Sequence, residues 1–366
     1  MLGSDRFHLA LALALASAVA AGCDGGDNTQ ATGGTGGEGG TTSSTTTGGT
    51  GGTGGTGGTG GTGGTGGGLT CTMGEGPVLA VSSLSFGEGD SGEWKSVGFN
   101  VDGLVSNANS KDLCKPYGGA DTSTPYPDGD EGIDNSFGKN LLPVILGLYP
   151  TWVNDINAGI QKGTFTTLLK LECLPPTGDV PSFTTKLFGG NALGSTPLWD
   201  GTDKWPVVPE LLSDPMDPLS STVVFGKSSV IGQAFDSGKN ETFILTVPLK
   251  TMTDSTSIKL SLYAAQTTMT LADDRKSATG GIIGGVVNTE ELVTELKKVG
   301  ALLDLCGTQV FDNIIDQVRQ ASDIMTDGSQ DPEKECDGIS IGLKFDMKEA
   351  QIGEVGPKAP VGMACE

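Results

Sequence analysis

A long Gly- and Thr-rich tract near the amino terminus limits what this chain can fold into. From Gly25 to Gly68 the residues are almost all Gly, Thr and Ser, and six consecutive Gly-Gly-Thr units run from Gly48 to Thr65. Such a segment has almost nothing apolar to bury, so burial cannot offset the entropy of ordering its backbone. It also lacks the proline of a collagen helix. We predict a flexible tether over 23–68 that spans about 35–40 Å, followed by a single folded domain over 69–366.

The residues before this tether have the composition of a signal peptide. A short segment with one arginine, Arg6, precedes the Leu- and Ala-rich run Leu9–Ala21. That run is shorter than the ~20 apolar residues that a membrane-spanning helix needs. We predict that residues 1–22 are a signal peptide and are removed on export.

The predicted cleavage site ends in a cysteine. Small residues precede Cys23 in the segment Val19–Cys23. This segment resembles the lipobox of bacterial lipoproteins, although Ala20 stands where that family prefers Leu. The resemblance implies that Cys23 carries a lipid and holds the mature protein in the cell envelope, at the outer membrane or cell surface. The alternative is an ordinary signal peptide with Cys23 merely nearby.

Charge and histidine content exclude several classes of function. The net charge is −22, and an acidic surface repels the phosphates of nucleic acids, so we expect no nucleic-acid partner. The one histidine, His8, lies within the predicted signal peptide. The mature protein would therefore lack an imidazole base and any His ligand for a metal. This favours a binding or structural module over an enzyme.

Seven cysteines fit an exported protein. With Cys23 assigned to lipid, an even number remains, and no C-x-x-C spacing occurs. Widely spaced cysteines in an oxidising compartment predict three disulfides. The six cysteines concerned are Cys71, Cys114, Cys173, Cys306, Cys336 and Cys365. Fifteen pairings are open; closeness in sequence favours Cys306–Cys336, and the meeting of domain ends favours Cys71–Cys365.

Strand patterns dominate the predicted folded domain. Residues rich in β-branched and apolar types, separated by Gly, Pro, Asp or Asn, predict strands. These strands are expected at 97–105, 164–174, 183–188, 221–225, 242–249, 257–271 and 339–347. The segment Gly280–Val287 lacks the spacing of a dinucleotide-binding loop, so we interpret it as a strand whose glycines allow close approach.

Helical spacing interrupts the strands near 136–162 and 289–325. Leu141–Leu148 and Trp152–Ile160 are separated by Tyr-Pro, Thr289 is a candidate N-cap, and another helix follows Gly307. Strands with helices at two places predict a mainly β fold, an antiparallel β-sandwich of the jelly-roll type with inserted helices. An α+β fold is the alternative.

One acidic loop is a candidate calcium site. It offers Asp128, Asp130, Glu131, Asp134 and Asn135, and Asp102 is expected nearby. Calcium takes six to eight oxygen ligands, which alternating acids around glycine can supply. The spacing does not match an EF-hand, and the alternative is a solvated acidic turn in which Asp134 or Asn135 caps the next helix. We expect no other cofactor.

Two tryptophans flank a turn in a chain with few aromatics. Trp199, Asp203 and Trp205 form a candidate carbohydrate site, because rings beside carboxylates can stack on a pyranose. The alternative is that these tryptophans close the rim of the core.

Several of these segments together resemble a family of surface lipoproteins from Gram-negative bacteria that has no assigned activity. The resemblance rests on Cys23, the tether, Val101–Gly103, Asp128–Leu142 and Trp199–Trp205. It implies an envelope location and a β-rich domain, and it supplies no catalytic residues. We therefore expect a lipid-anchored ligand-binding, matrix-binding or structural module, with the membrane as one partner and a carbohydrate or surface protein as the other. The alternative is a carboxylate-dependent glycoside hydrolase acting on extracellular or envelope polysaccharide, since that chemistry needs no histidine.

Overall fold

A computed structural model describes residues 75–89, 92–119, 121–250, 255–358 and 362–366. All of these residues belong to one compact unit, Cys71–Glu366. The predictions on the signal peptide, on Cys23, on the tether and on Cys71 lie outside the described residues. None of the helices in the described part of the chain combines the length and apolar character needed to span a bilayer.

The prediction of a mainly β fold is confirmed, because ten strands form one hydrogen-bonded sheet. The strands are β1 (Val78–Ser85), β2 (Thr166–Leu171), β3 (Val180–Gly190), β4 (Lys204–Val207), β5 (Val223–Ile231), β6 (Ala234–Asp236), β7 (Glu241–Lys250), β8 (Ser255–Leu271), β9 (Ser277–Asn288) and β10 (Gly338–Val355).

Strand pairing closes this sheet on itself. Neighbours run β1–β2–β3–β5–β6–β8–β9–β10, and β10 pairs again with β1. The β4 strand pairs in parallel with β10, and β7 pairs with β8. The other ladders are antiparallel. The predicted sandwich is not confirmed, because the described strands belong to one continuous sheet.

Part of this sheet is buried on both faces. In β1, Leu79 and Val81 join the larger hydrophobic cluster, whereas Val78 and Ala80 join a second cluster around Trp205. Successive side chains of a strand point to opposite faces, so this division places one cluster on each side of the sheet. The segment that carries β4 covers the second cluster.

The predicted strand over 97–105 is wrong. This segment is a loop whose one β-bridge pairs Phe99 with Asp134. Backbone N–H groups that would pair with a neighbouring strand donate to side chains instead. The N–H of Val101 donates to Asp134 Oδ2, and the N–H of Gly103 donates to Asn100 Oδ1. Local hydrogen bonds of this kind compete directly with strand pairing.

The helices lie where the sequence places them. They are α1 (Leu142–Leu148), preceded by a π-helical turn (Phe137–Leu141), α2 (Trp152–Gln161), α3 (Thr289–Leu302) and α4 (Gln309–Gln320). The predicted cap of α3 is displaced by one residue. Asn288, not Thr289, is the N-cap, and its side chain accepts from the N–H groups of Glu290 and Glu291.

Two disulfides link distant parts of this unit. Cys114 pairs with Cys336, and Cys306 pairs with Cys365. The predicted Cys306–Cys336 and Cys71–Cys365 pairings are therefore wrong. Cys306 pairs with Cys365, which follows β10, and not with Cys336, which is nearer in the sequence. Cys173 is also disulfide-bonded.

Candidate functional site

The structure brings together four aspartates from three separate segments. Asp102 comes from the loop before Ser106, Asp128 and Asp134 come from the acidic loop, and Asp323 follows α4. Asp102, Asp128 and Asp323 each raise the pKa of at least one other aspartate of this group, because negative charges repel one another. We call Asp102, Asp128, Asp134 and Asp323 the aspartate cluster.

Asp134 is the most strongly perturbed member. Its side chain is 2% exposed, and its Oδ2 accepts hydrogen bonds from the N–H groups of Val101 at 2.6 Å and Asp102 at 3.3 Å. Burial raises the pKa of Asp134 to about 9, and the charges of Asp102, Asp323 and Asp128 add to this shift. Desolvation disfavours the charged form, so Asp134 holds a proton at neutral pH.

Asp323 connects the cluster to β10. Its carboxylate accepts from the N–H of Ser340 at 2.8 Å and from the Ser340 hydroxyl at 2.5 Å. The same hydroxyl accepts from the N–H of Ser136 at 2.8 Å. Burial raises the pKa of Asp323 to about 7, although both hydrogen bonds from Ser340 act in the opposite direction.

Asp128 lies at the edge of the cluster and is half-buried. It accepts from the N–H of Ser106 at 2.5 Å. Burial raises the pKa of Asp128 to about 6; the bond from Ser106 and the charge of Lys139 lower it, and the charge of Asp102 raises it. The Ser106 hydroxyl is buried without a well-formed hydrogen bond, although it lies close enough to lower the pKa of Asp128.

Lys139 supplies the positive charge beside this cluster. Its ammonium group donates to the carbonyls of Thr124 at 2.8 Å, Pro127 at 3.3 Å and Ser123 at 3.4 Å. Burial lowers the pKa of Lys139, whereas the charges of Asp323 and Asp128 raise it. The ammonium therefore binds backbone carbonyls of the segment directly before the acidic loop.

Gln330 joins the cluster to the loop after α4. Its amide nitrogen donates to Asp102 Oδ2 at 2.8 Å and to the Asp323 carbonyl at 3.1 Å. Its amide oxygen accepts from the N–H of Cys114 at 2.9 Å. These bonds link the segment that supplies Asp102 to the segment that supplies Asp323.

The six predicted calcium ligands do not form one site. Asp102, Asp128 and Asp134 belong to the cluster, but Asp130 and Glu131 are exposed. The Asn135 amide is engaged by protein groups: it donates to the carbonyls of Trp94 and Val97 and accepts from the N–H groups of Gly138 and Gly342. Within the described ranges, no group of three or more His, Cys, Asp or Glu side chains is placed to hold a metal ion.

The predicted carbohydrate platform is mostly a packing feature. Trp205 is 0% exposed and belongs to the second hydrophobic cluster, so it offers no face to a ligand. Trp199 is half-buried, with its ring centroid 6.0 Å from that of Trp205. Asp203 is also buried, and its carboxylate accepts from the N–H groups of Leu198 and Trp199. Asp203 therefore shapes the turn, and Trp199 alone retains an accessible edge.

A polar groove of about 680 Å³ lies beside the aspartate cluster. Gln330 belongs to both, since it lines the groove and also bonds Asp102. Other lining residues are Asn240, Tyr263, Thr326, Asp327 and Lys334. The groove therefore presents hydroxyl, amide and charged groups around the ring of Tyr263. It lies next to the hydrogen-bonded aspartate cluster.

Sequence reasoning missed Asp323, Ser340, Lys139 and Gln330 as parts of this site. Asp323 is far from Asp134 in the sequence, and the β-bridge between Ile324 and Gly338 places it beside β10. Lys139 carried a usable signal, because it lies on a helical turn directly after the acidic loop. A lone basic residue beside several acids is a candidate counter-ion.

Comparisons with known proteins add no relative, since no protein-family model, no curated protein and no solved structure matches the chain. The resemblance to the surface lipoproteins of Gram-negative bacteria therefore stays a prediction from the sequence.

Proposed function

We propose that this protein is an exported, lipid-anchored module of the cell surface that binds a ligand or matrix component through its folded unit. The observation that carries the proposal is the pair of disulfides, Cys114–Cys336 and Cys306–Cys365. Disulfides of this kind persist in oxidising compartments outside the cytosol. Export is what the signal peptide, Cys23 and the tether predict independently from the sequence.

The anchor is tested by expressing the full chain and the Cys23→Ala variant in a Gram-negative host. The wild-type chain should partition into detergent with the membranes, because a diacyl thioether at Cys23 buries its acyl chains at about 0.8 kcal/mol per CH₂. The variant should lose this partition. Equal behaviour of the two chains would refute the anchor.

The polar groove is the surface that we assign to ligand binding. A binding site needs side chains held by a supporting shell, and Gln330 is fixed by its bonds to Asp102, Asp323 and Cys114. Tyr263 adds an aromatic ring whose hydroxyl donates to Glu291 at 2.8 Å. Polyhydroxyl compounds such as carbohydrates match a ring surrounded by hydroxyl and amide groups.

A screen of glycans and surface proteins against the mature chain tests this assignment. Tyr263→Ala should weaken binding of any ligand found by about tenfold or more, as truncation of a central aromatic anchor does. Tyr149→Ala is the control, since Tyr149 is exposed and, like Tyr263, bonds a carboxylate, that of Asp155. Equal losses in both variants would exclude the groove.

A carboxylate-dependent glycoside hydrolase is the second candidate, and one observation favours it. Asp128 has a pKa raised to about 6 and lies near Asp102. A carboxyl group with a raised pKa beside a second carboxyl group is the arrangement of a general acid and its partner. Release of reducing sugar from envelope polysaccharide should then fall about 100-fold or more in Asp128→Asn. Asp121→Asn, in the same loop but exposed, is the control.

A further inference from the structure

Two disulfides have both of their cysteines within the described residues, and their surroundings differ. Cys114 is 0% exposed and Cys336 is 4% exposed, so their bond is sealed in the interior. Cys306 is exposed and Cys365 is half-buried, so a reagent in solvent can reach the second bond. Exposed disulfides are the more readily reduced ones in proteins, because thiol–disulfide exchange requires access to a sulfur atom.

The exposed bond holds the carboxyl-terminal segment, Gly362–Glu366, against α3. Within these described residues, one hydrogen bond reaches the rest of the unit, from the N–H of Cys365 to the Lys297 carbonyl at 3.0 Å. The segment contains no strand or helix. Among the contacts described for this segment, the disulfide is the covalent one.

Cys365 also covers the junction between α3 and α4. A methyl group added to Gly300 would lie 3.0 Å from Cys365 Sγ and 2.6 Å from the Phe311 ring. Cys365 packs against the larger hydrophobic cluster, in which Phe311 is 6% exposed. Loss of the segment would expose this part of α3 and α4 while leaving the closed sheet and the Cys114–Cys336 bond in place.

We propose that the Cys306–Cys365 disulfide is a redox-sensitive latch that a dithiol can open without unfolding the domain. One thiolate of the dithiol attacks Cys306 Sγ, which breaks the protein disulfide and releases Cys365 as a thiolate. The second thiol of the reductant then attacks the mixed disulfide and releases Cys306. The protein gains two electrons and two protons as cysteine thiols, and the dithiol leaves as a cyclic disulfide.

The test is timed reduction of the full mature chain with dithiothreitol under native conditions, followed by alkylation and peptide mass spectrometry. Alkylation of Cys306 and Cys365 should precede that of Cys114 and Cys336 by about tenfold or more in rate. Far-UV circular dichroism should stay unchanged over this period. Equal rates for the two pairs, or labelling only after loss of the dichroism signal, would overturn the proposal.

Amide hydrogen exchange tests whether the bond acts as a latch. Exchange at 297–306 should rise in the reduced protein and equally in Cys306→Ser, because both lose the link to the carboxyl-terminal segment. Exchange in β9 and β10 should not change. Early reduction with unchanged exchange at 297–306 would show that the bond restrains nothing, and it would also overturn the proposal.

Discussion

Asp323 combines near-complete burial with two hydrogen bonds from one serine. The hydrogen bonds favour the charged carboxylate, but burial outweighs them and raises its pKa to about 7. The ordinary value of 3.8 applies once the chain unfolds. A folded state that binds a proton more tightly than the unfolded state becomes less stable as pH rises between the two pKa values. Asp323 therefore destabilises the fold progressively from about pH 4 to pH 7.

We expect Asp323→Asn to flatten this pH dependence. The amide has no proton to lose, its oxygen can still accept from the Ser340 N–H, and its nitrogen can donate to the Ser340 hydroxyl. The free energy of unfolding, measured by urea titration at pH 5 and pH 7.5, should fall less with pH than in the wild type. Asp327→Asn is the control, since the Ser329 hydroxyl lowers the pKa of Asp327 and moves its titration below this window. Identical slopes in wild type and Asp323→Asn would contradict the assignment.

Asp203 is the residue on which the turn around Trp199 depends. Its two carboxylate oxygens accept from the N–H groups of Leu198 at 3.0 Å and Trp199 at 2.8 Å. We predict that Asp203→Ala lowers the free energy of unfolding by about 2–4 kcal/mol, because two N–H groups lose their partner. Asp200→Ala, at an exposed position of the same turn, should have a much smaller effect. Equal costs in chemical denaturation would argue against this role.

The site was only partly predictable from single residues. Three of the predicted acids, Asp102, Asp128 and Asp134, lie close together in the structure. The β-bridge between Phe99 and Asp134 joins the loops that carry them. Asp323 and Ser340 come from a much later part of the chain, and no local pattern indicates such a contact. The burial of Trp205 was also beyond the local pattern, since a tryptophan beside a turn fits either the rim of a core or an exposed platform.

At the scale of secondary-structure elements, the glycines of β9 and β10 allow other chain segments to lie directly on the sheet. The interpretation of Gly280–Val287 as a strand with closely approaching partners is confirmed in β9, where a methyl group on Gly281 would lie 2.5 Å from the Phe345 ring. In β10, a methyl group on Gly342 would overlap the Val97 carbonyl oxygen. The loop that carries Asp102 can pack here only because Gly342 has no side chain.

We therefore predict that Gly342→Ala destabilises the domain by about 1–3 kcal/mol, since the obstacle is backbone and cannot rotate away. The change should also weaken the bond from the Gly342 N–H to Asn135, and so disturb the aspartate cluster. Gly226→Ala in β5 is a matched control with nothing near the added methyl group. Thermal unfolding midpoints compare the two, and equal midpoints would refute the close packing.

Hydrogen bonds from other protein groups hold much of the acidic loop in place. Asp134 accepts two backbone N–H groups, the Asn135 amide bonds four backbone groups, and the Lys139 ammonium occupies the nearby carbonyls. We expect the unfolding midpoint of the mature protein to be the same in calcium and in a chelator. A midpoint several degrees higher in calcium would instead support the calcium hypothesis, because ligand binding to the native state raises stability.

Across the whole molecule, local patterns predicted the elements better than their arrangement. Helical periodicity located α1, α2, α3 and α4, and β-branched runs located most of the strands. The closing ladder joins β1 to β10 with partners such as Val78 and Ala350, and such long-range register has no sequence signature. Short strands, namely β4 and β6, and the doubly buried β1 were missed because runs of this kind lack a clear alternation.

The disulfides, the acidic charge and the tether predicted from the sequence together support the proposal that this protein is exported. A net charge of −22 would favour the solubility of an exported domain, and covalent cross-links persist outside the cytosol. A tether with a span of about 35–40 Å would hold the folded unit clear of a lipid surface. These features motivate the proposal that the chain leaves the cytosol and is retained at a membrane.

Mass spectrometry of the amino-terminal peptide, from protein purified out of the membranes of a Gram-negative host, tests this account most directly. We predict that the mature chain begins at Cys23 and carries the added mass of a diacylglycerol on its sulfur. A chain that begins elsewhere, or an unmodified Cys23 in protein recovered without detergent, would contradict the account.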